Sequence, residues 1–127
     1  PAPAAVAEPE PDAGAIDAKQ IAQLREIPGR THPQLLVELV ELFRVTAPEL
    51  LRDLAQAVTA SDTAKTELLA HRLAGSCAHF GAFAMRTVAL ALERAAHDGD
   101  WAAASVEFEH LQEEWKRVEL ALSRLVP

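Results

Sequence analysis

Near the end of the chain, apolar residues recur at Trp101, Ala104, Phe108, Leu111, Trp115, Val118, Leu122 and Leu125, in alternating steps of three and four. That spacing keeps them on one side of an α-helix and predicts a long amphipathic helix packed nearly antiparallel to its neighbours. An earlier run shows the same rhythm: Leu35, Leu36, Leu39, Leu42 and Phe43, then Leu50, Leu51, Leu54 and Val58. It predicts a helix that begins near Pro33, a residue favoured at the first helical position. Pro48 falls inside this run and is expected to kink or divide the helix, because it removes one backbone hydrogen bond. Between these two segments, Ser61-Asp62 caps a helix from about Thr63 to Phe80 that stops at Gly81. The next helix runs from about Ala82 to His97 and ends in the turn Asp98-Gly99-Asp100. Ahead of all of them, Asp17 caps a short helix through about Glu26, broken by Pro28-Gly29. Long amphipathic helices joined by short connections imply an all-α fold, an up-down antiparallel four-helix bundle with an additional short N-terminal helix.

Composition narrows this picture. The chain has 127 residues, half of them hydrophobic, which is enough for one domain with a real core. Tyr is absent and Gly occurs five times in a chain dominated by Leu and Ala, a mixture that favours helix over sheet. No apolar run approaches the ~20 residues that span a bilayer, and no signal-peptide pattern opens the chain. A single cysteine makes no internal disulfide and suits a reducing compartment. The net charge of −7 argues against a nucleic-acid partner. Residues 1–15, PAPAAVAEPEPDAGA, hold four of the eight prolines, three acids and no base. Such a segment has little to bury and reads as a semi-extended linker, leaving 16–127 as the folded domain. Removing Glu8, Glu10 and Asp12 leaves −4 for that domain. A chain that opens on Pro1 rather than Met also reads as a fragment or a processed form.

The candidate chemistry lies on the helix over 63–80. At about 100° per residue, with His71 at zero, Leu69, Leu73, Ser76, Cys77 and Phe80 fall in the opposite arc and predict the core face. His71 then points at solvent, flanked by Ala74, Gly75 and Ala78. Gly inside a helix costs up to ~1 kcal/mol against Ala, so Gly75 is best explained by something approaching closely there. Neutral imidazole is a nucleophile, and phosphoryl transfer to it needs in-line access more than local machinery. A solvent histidine on an Ala-rich helix is the plain alternative, and the wheel alone leaves both open. His79, about 80° away, reads as a surface or capping histidine. No two histidines stand at i, i+4 and no cysteine joins them, so a metal site is not expected. Cys77 reads as a buried inert thiol. Neither a phosphate-cradling Gly loop nor G-x-S-x-G is present, so nothing points to ATP binding or ester cleavage.

The run Ala70-His71-Arg72-Leu73-Ala74-Gly75-Ser76-Cys77-Ala78-His79-Phe80-Gly81-Ala82 resembles the signature of histidine phosphotransfer (HPt) domains, roughly A-H-x-L-K-G-S-S-x-x-[LF]-G-A. The stretch LLVELVELFRVTAPELLRDLAQAV is similar to that family's second helix, and ALERAAHDGD to its L-E-x-x-x-x-x-G-D segment. The resemblance covers nearly everything after residue 16. It implies that His71 is the phosphoacceptor, through Nε2, and that Gly75 gives a receiver domain room. Ser76 and Cys77 take the two small positions where the motif turns inward. Glu93 aligns with a Gln/Glu position beside the reactive histidine, where a carboxylate accepting from Nδ1–H would hold the tautomer that leaves Nε2 free. Glu67, Ala70, Ala74 and Ala78 are expected to form the docking surface. The family commonly carries Lys where this chain has Ala74, so less of the phosphoryl charge would be offset, with Arg72 as a partial substitute.

The implied activity is that of a phosphocarrier, not catalytic alone and without a cofactor of its own. It would take a phosphoryl group from an aspartate of one receiver domain and pass it to another, the receiver supplying Mg²⁺. The implied partners are the receiver of the same hybrid kinase or a response regulator, with no nucleic acid, no direct membrane contact and a monomeric state in isolation. With the leader as a linker, the resemblance points to the C-terminal module of a hybrid sensor histidine kinase, cytoplasmic and tethered to an inner-membrane protein. The alternative is a non-phosphorylated docking or regulatory module using the same face, which the Lys-to-Ala departure supports. A structural bundle that dimerises through its Trp101–Leu125 helix is a third reading. A sensor-kinase dimerisation helix usually carries an acid after its His and a Pro some residues later; here Arg72 follows, and no Pro intervenes before the final residue.

Overall fold

A computed structural model of the chain describes residues 13–25 and 34–126. Five helices follow one another: α1 (Ala18–Arg25), α2 (Leu35–Thr59), α3 (Thr63–His79), α4 (Phe83–His97) and α5 (Trp101–Leu125). The described residues contain no strand. Helix α3 packs most extensively on α4, α4 on α5 and α2 on α3, while α2 against α5 closes the four-helix bundle. The short α1 packs against α2 and α3. No helix among the described residues is long and apolar enough to cross a membrane. The expected helix start at Pro33 and the break at Pro28-Gly29 lie outside the described residues.

Local chemistry sets the helix boundaries. The Asp17 carboxylate accepts from the backbone N–H of Lys19 (2.7 Å) and Gln20 (3.3 Å). Asp62 accepts from Lys65 N–H at 3.1 Å, and Asp100 from Ala103 N–H at 3.0 Å, so three helices start on an aspartate that satisfies an orphan donor. Helices α2, α3 and α4 end in the same way, with a left-handed residue that lets two N–H groups turn back onto the last carbonyls. At the end of α3, Ala82 N–H donates to Cys77 O and Gly81 N–H to Ala78 O. Gly81 sits at φ +65, and a Cβ there would run into the Asp17 side chain and lie 2.8 Å from the Asp17 nitrogen. Glycine thus both ends α3 and lets the chain entering α1 lie against it.

At the end of α2 the left-handed position is held by Ser61, at φ 51. A non-glycine residue there costs roughly 1–2 kcal/mol. Ser61→Gly is therefore expected to raise stability by about 1 kcal/mol, read as a higher urea midpoint at unchanged slope.

Pro48 does not divide α2, which runs unbroken from Leu35 to Thr59. The missing bond costs ~3 kcal/mol in an isolated helix. Phe43, Ala47, Leu51 and Leu54, buried on both sides of it, hold the two halves in one register. Phe43 stacks on Phe80 (centroids 4.8 Å apart) and meets Trp115 edge-on (5.4 Å), tying α2 and α5 to the end of α3. Every residue of the predicted α5 seam is buried or half-buried.

The leader was expected to extend through residue 15, but its last described residues belong to the folded body. Ala15 is 1% exposed, and Arg117 donates to the Ala13 carbonyl at 2.7 Å. Composition alone cannot show that a small apolar residue beside a proline-rich tract is seated in a core.

Candidate functional site

The site is built on the antiparallel pair α3 and α4. Leu69, Leu73 and Cys77 of α3 face the core, as the wheel predicts, while His71 points outward with 75% of its side chain exposed. From α4, the Glu93 carboxylate reaches across so that its Oε2 lies 3.0 Å from His71 Nδ1. Glu93 is itself partly shielded, with 30% of its side chain exposed. A carboxylate only accepts, so Nδ1 is the donor and the proton sits there in the neutral ring. The lone pair is then on Nε2, which has no hydrogen-bond partner among the described residues. The same contact fixes the ring plane.

The surroundings of His71 are lopsided. Ala70 and Ala74 are 0% and 3% exposed, so neither belongs to a docking surface. Both lie on the flank of His71 that α4 covers, and their small side chains let α4 come close. A single-helix wheel gives angles from His71 but not which flank the neighbouring helix takes. Position 74, where the family commonly carries Lys, is therefore closed over in this chain. Ala78 and Glu67 are half-buried at the edge of α4, and Gly75, Arg72, Leu68 and His79 are exposed on the other flank. Arg72 has no ion pair or hydrogen bond among the described residues, leaving its guanidinium available on that open side.

Gly75 has no internal reason to be glycine. A Cβ built there meets nothing within 4 Å, and its φ is not in the left-handed range. Gly75→Ala is expected to stabilise the domain by up to ~1 kcal/mol, measured by denaturant unfolding. What the glycine provides is an unencumbered surface one turn beyond His71.

Ser76 is half-buried and lines an apolar groove with Leu39, Leu42, Phe43, His79 and Phe80, away from Glu93. Cys77 is fully buried, and burial pushes its thiol up to about 12, against the smaller opposing effects of a backbone hydrogen bond and Arg86. It stays protonated at neutral pH and is a core residue. Among the described residues, no three or more His, Cys, Asp or Glu stand together as a metal-ligand set.

One feature was not foreseen from the sequence. Glu67, one turn before His71 on α3, places Oε1 2.9 Å from Nδ1 of His97 on α4. The signal was present as two E-x-x-x-H spacings, Glu67–His71 and Glu93–His97, on helices that pair.

The family model for the Hpt domain matches residues 38–121, more than half of the chain. A search of curated protein sequences returns no match. Among solved structures, histidine-containing phosphotransfer protein B of Pseudomonas aeruginosa PAO1 is 24% identical with a TM-score of 0.81, over 88% of this chain and 94% of that one. A histidine-containing phosphotransfer protein of Medicago truncatula is 22% identical with a TM-score of 0.78, over 89% and 78%. One from maize is 22% identical with a TM-score of 0.73, over 91% and 89%. At these identities the likeness establishes the shared fold, and the family match establishes the kind of module: the chain belongs to the Hpt domain family, whose members are phosphotransfer modules.

Proposed function

We propose that the domain is a phosphocarrier in which His71 takes a phosphoryl group from an aspartyl phosphate of one receiver domain and gives it to an aspartate of another. The observation that carries this is the combination of a 75% exposed imidazole with Nδ1 bound to Glu93 at 3.0 Å. In the forward step the Nε2 lone pair attacks phosphorus in line. The acyl-phosphate P–O bond breaks, and its electron pair leaves on the aspartate carboxylate. No proton needs to move, because Nδ1–H stays on Glu93, which also stabilises the positive charge that develops on the ring. The return step is the same path reversed. The receiver contributes Mg²⁺ and its acidic pocket; this chain contributes the nucleophile, its orientation and room to approach it.

The contact surface of the receiver is then Glu67 and Ala78 at the α4 edge together with Gly75, Arg72 and Leu68 on the open flank. Arg72 is the cation that offsets phosphoryl charge in place of the absent Lys. The donor and acceptor receivers belong to a hybrid sensor kinase, to a response regulator, or to one of each. Incubation with a radiolabelled phospho-receiver is expected to give a label that is lost in acid, kept in base and mapped to His71 Nε2. Absence of label, or label mapped to another residue, overturns the proposal.

A further inference from the structure

We propose that His97 is a second phosphoryl-accepting imidazole, open to small activated phosphates such as phosphoramidates and acyl phosphates rather than to a docked domain. This rests on the same reading of a carboxylate-held histidine as the proposal for His71.

Helices α3 and α4 run antiparallel and carry the same pair of residues in the same spacing. His71 faces Glu93, and four residues away along both helices Glu67 faces His97. The residue types are exchanged between the helices, so each helix holds one imidazole and one carboxylate that orients the other's imidazole. The two units agree in detail. The Nδ1–carboxylate distances are 3.0 Å at His71 and 2.9 Å at His97, the imidazole side chains are 75% and 70% exposed, and the carboxylate side chains are 30% and 33% exposed. The nucleophile and its orientation, two of the things this chain supplies at His71, are therefore present again at His97. Nδ1–H is held by a carboxylate, and Nε2 has no partner among the described residues.

The surroundings decide which donors fit. Four residues beyond His71 stands bare Gly75, whereas four residues beyond His97 stands half-buried Trp101 at the start of α5. Arg72 follows His71, whereas Asp98 follows His97. A domain-sized partner finds the bulk of Trp101 beside His97. A small phosphate does not need the bare flank. It meets a surface depression lined by Glu67, Leu90, Glu93, Arg94 and His97, in which the exposed Arg94 guanidinium, 3.2 Å from Asp98, is the cation that receives phosphoryl oxygens. With phosphoramidate the Nε2 lone pair attacks phosphorus, the P–N bond breaks, and nitrogen leaves as ammonia with the protons it already carries. Nδ1–H remains on Glu67.

The other described histidines supply the internal control. His79 is exposed with no hydrogen-bond partner among the described residues, and His110 is 3.8 Å from Glu107, beyond hydrogen-bond reach. The full chain and its His71→Gln variant would be incubated with potassium phosphoramidate, following each histidine by phosphorus NMR and phosphopeptide mapping. The expected result is phosphorylation of His97 Nε2 in both proteins, at a rate within about threefold of that at His71 and roughly tenfold above His79 and His110. Glu67→Gln should lower the ratio of His97 to His71 labelling roughly tenfold, and Glu93→Gln should raise it. In Glu67→Gln the nitrogen shifts of His97 should also move towards the Nε2–H tautomer. If His71 outpaces His79 and His110 while His97 does not, the second site is wrong and the first stands. If neither outpaces them, carboxylate orientation activates no histidine towards small phosphates and the second site is wrong, while labelling from a phospho-receiver decides the proposal for His71 separately.

Discussion

Replacing His71 with Gln is expected to abolish phosphoryl acceptance from a receiver domain and to leave the stability of the bundle within about 0.5 kcal/mol of the parent. Both halves follow from the placement of the ring. It is 75% exposed and its hydrogen bond among the described residues is to Glu93, at the surface, so little packing is lost. The Gln amide can still donate to that carboxylate, which keeps Glu93 from being stranded. It has no nucleophilic nitrogen, because the amide lone pair is delocalised into the carbonyl, and the step loses the atom that must form the P–N bond. Transfer of label and urea unfolding on one preparation check the two halves together. A variant that labels like the parent removes His71 from the reaction; one that unfolds several kcal/mol earlier shows that the ring supports the fold.

Leu73→Ala should do the reverse. Leu73 lies two residues further along α3, on the opposite side, and is 0% exposed among core residues that include Leu69 and Cys77. Truncation removes its buried methyl groups and leaves a cavity that the long helices around it close only in part, a loss of ~2–5 kcal/mol. Against a typical domain stability of 5–15 kcal/mol that is a large share. The urea midpoint should fall at nearly constant slope, and the molecules that remain folded should still accept a phosphoryl group at His71. A loss well under 1 kcal/mol would mean that this part of the core is loosely filled.

The contrast between these two residues also shows what the sequence makes legible. Properties of one helix were readable from it. The seam from Trp101 to Leu125, the caps at Asp17 and Asp62, the stop at Gly81 and the outward turn of His71 each depend on spacing or on a single residue's conformation. Properties of a helix pair were not. Ala70 and Ala74 looked as accessible as Gly75 until α4 covered their flank, and the Glu67–His97 contact requires the register of two helices to be known. The contact of Glu93 with His71 was reached through the family resemblance, because periodicity gives no distance across a helix pair. Of the two outcomes expected at Pro48, division of the helix does not occur, since its local penalty is outweighed by packing along the whole of α2.

From α2 onwards each helix is joined to the next by a corner of three residues, so most of its packing is with its neighbour in sequence. Helical chains whose contacts are that short in range fold on the microsecond-to-millisecond scale. His71 and Glu93 are only 22 residues apart, across one such corner. After a local opening, the His71 imidazole is expected to recover its contact with Glu93 at the speed of a helical hairpin closing rather than of the whole chain refolding, which would suit the proposed carrier.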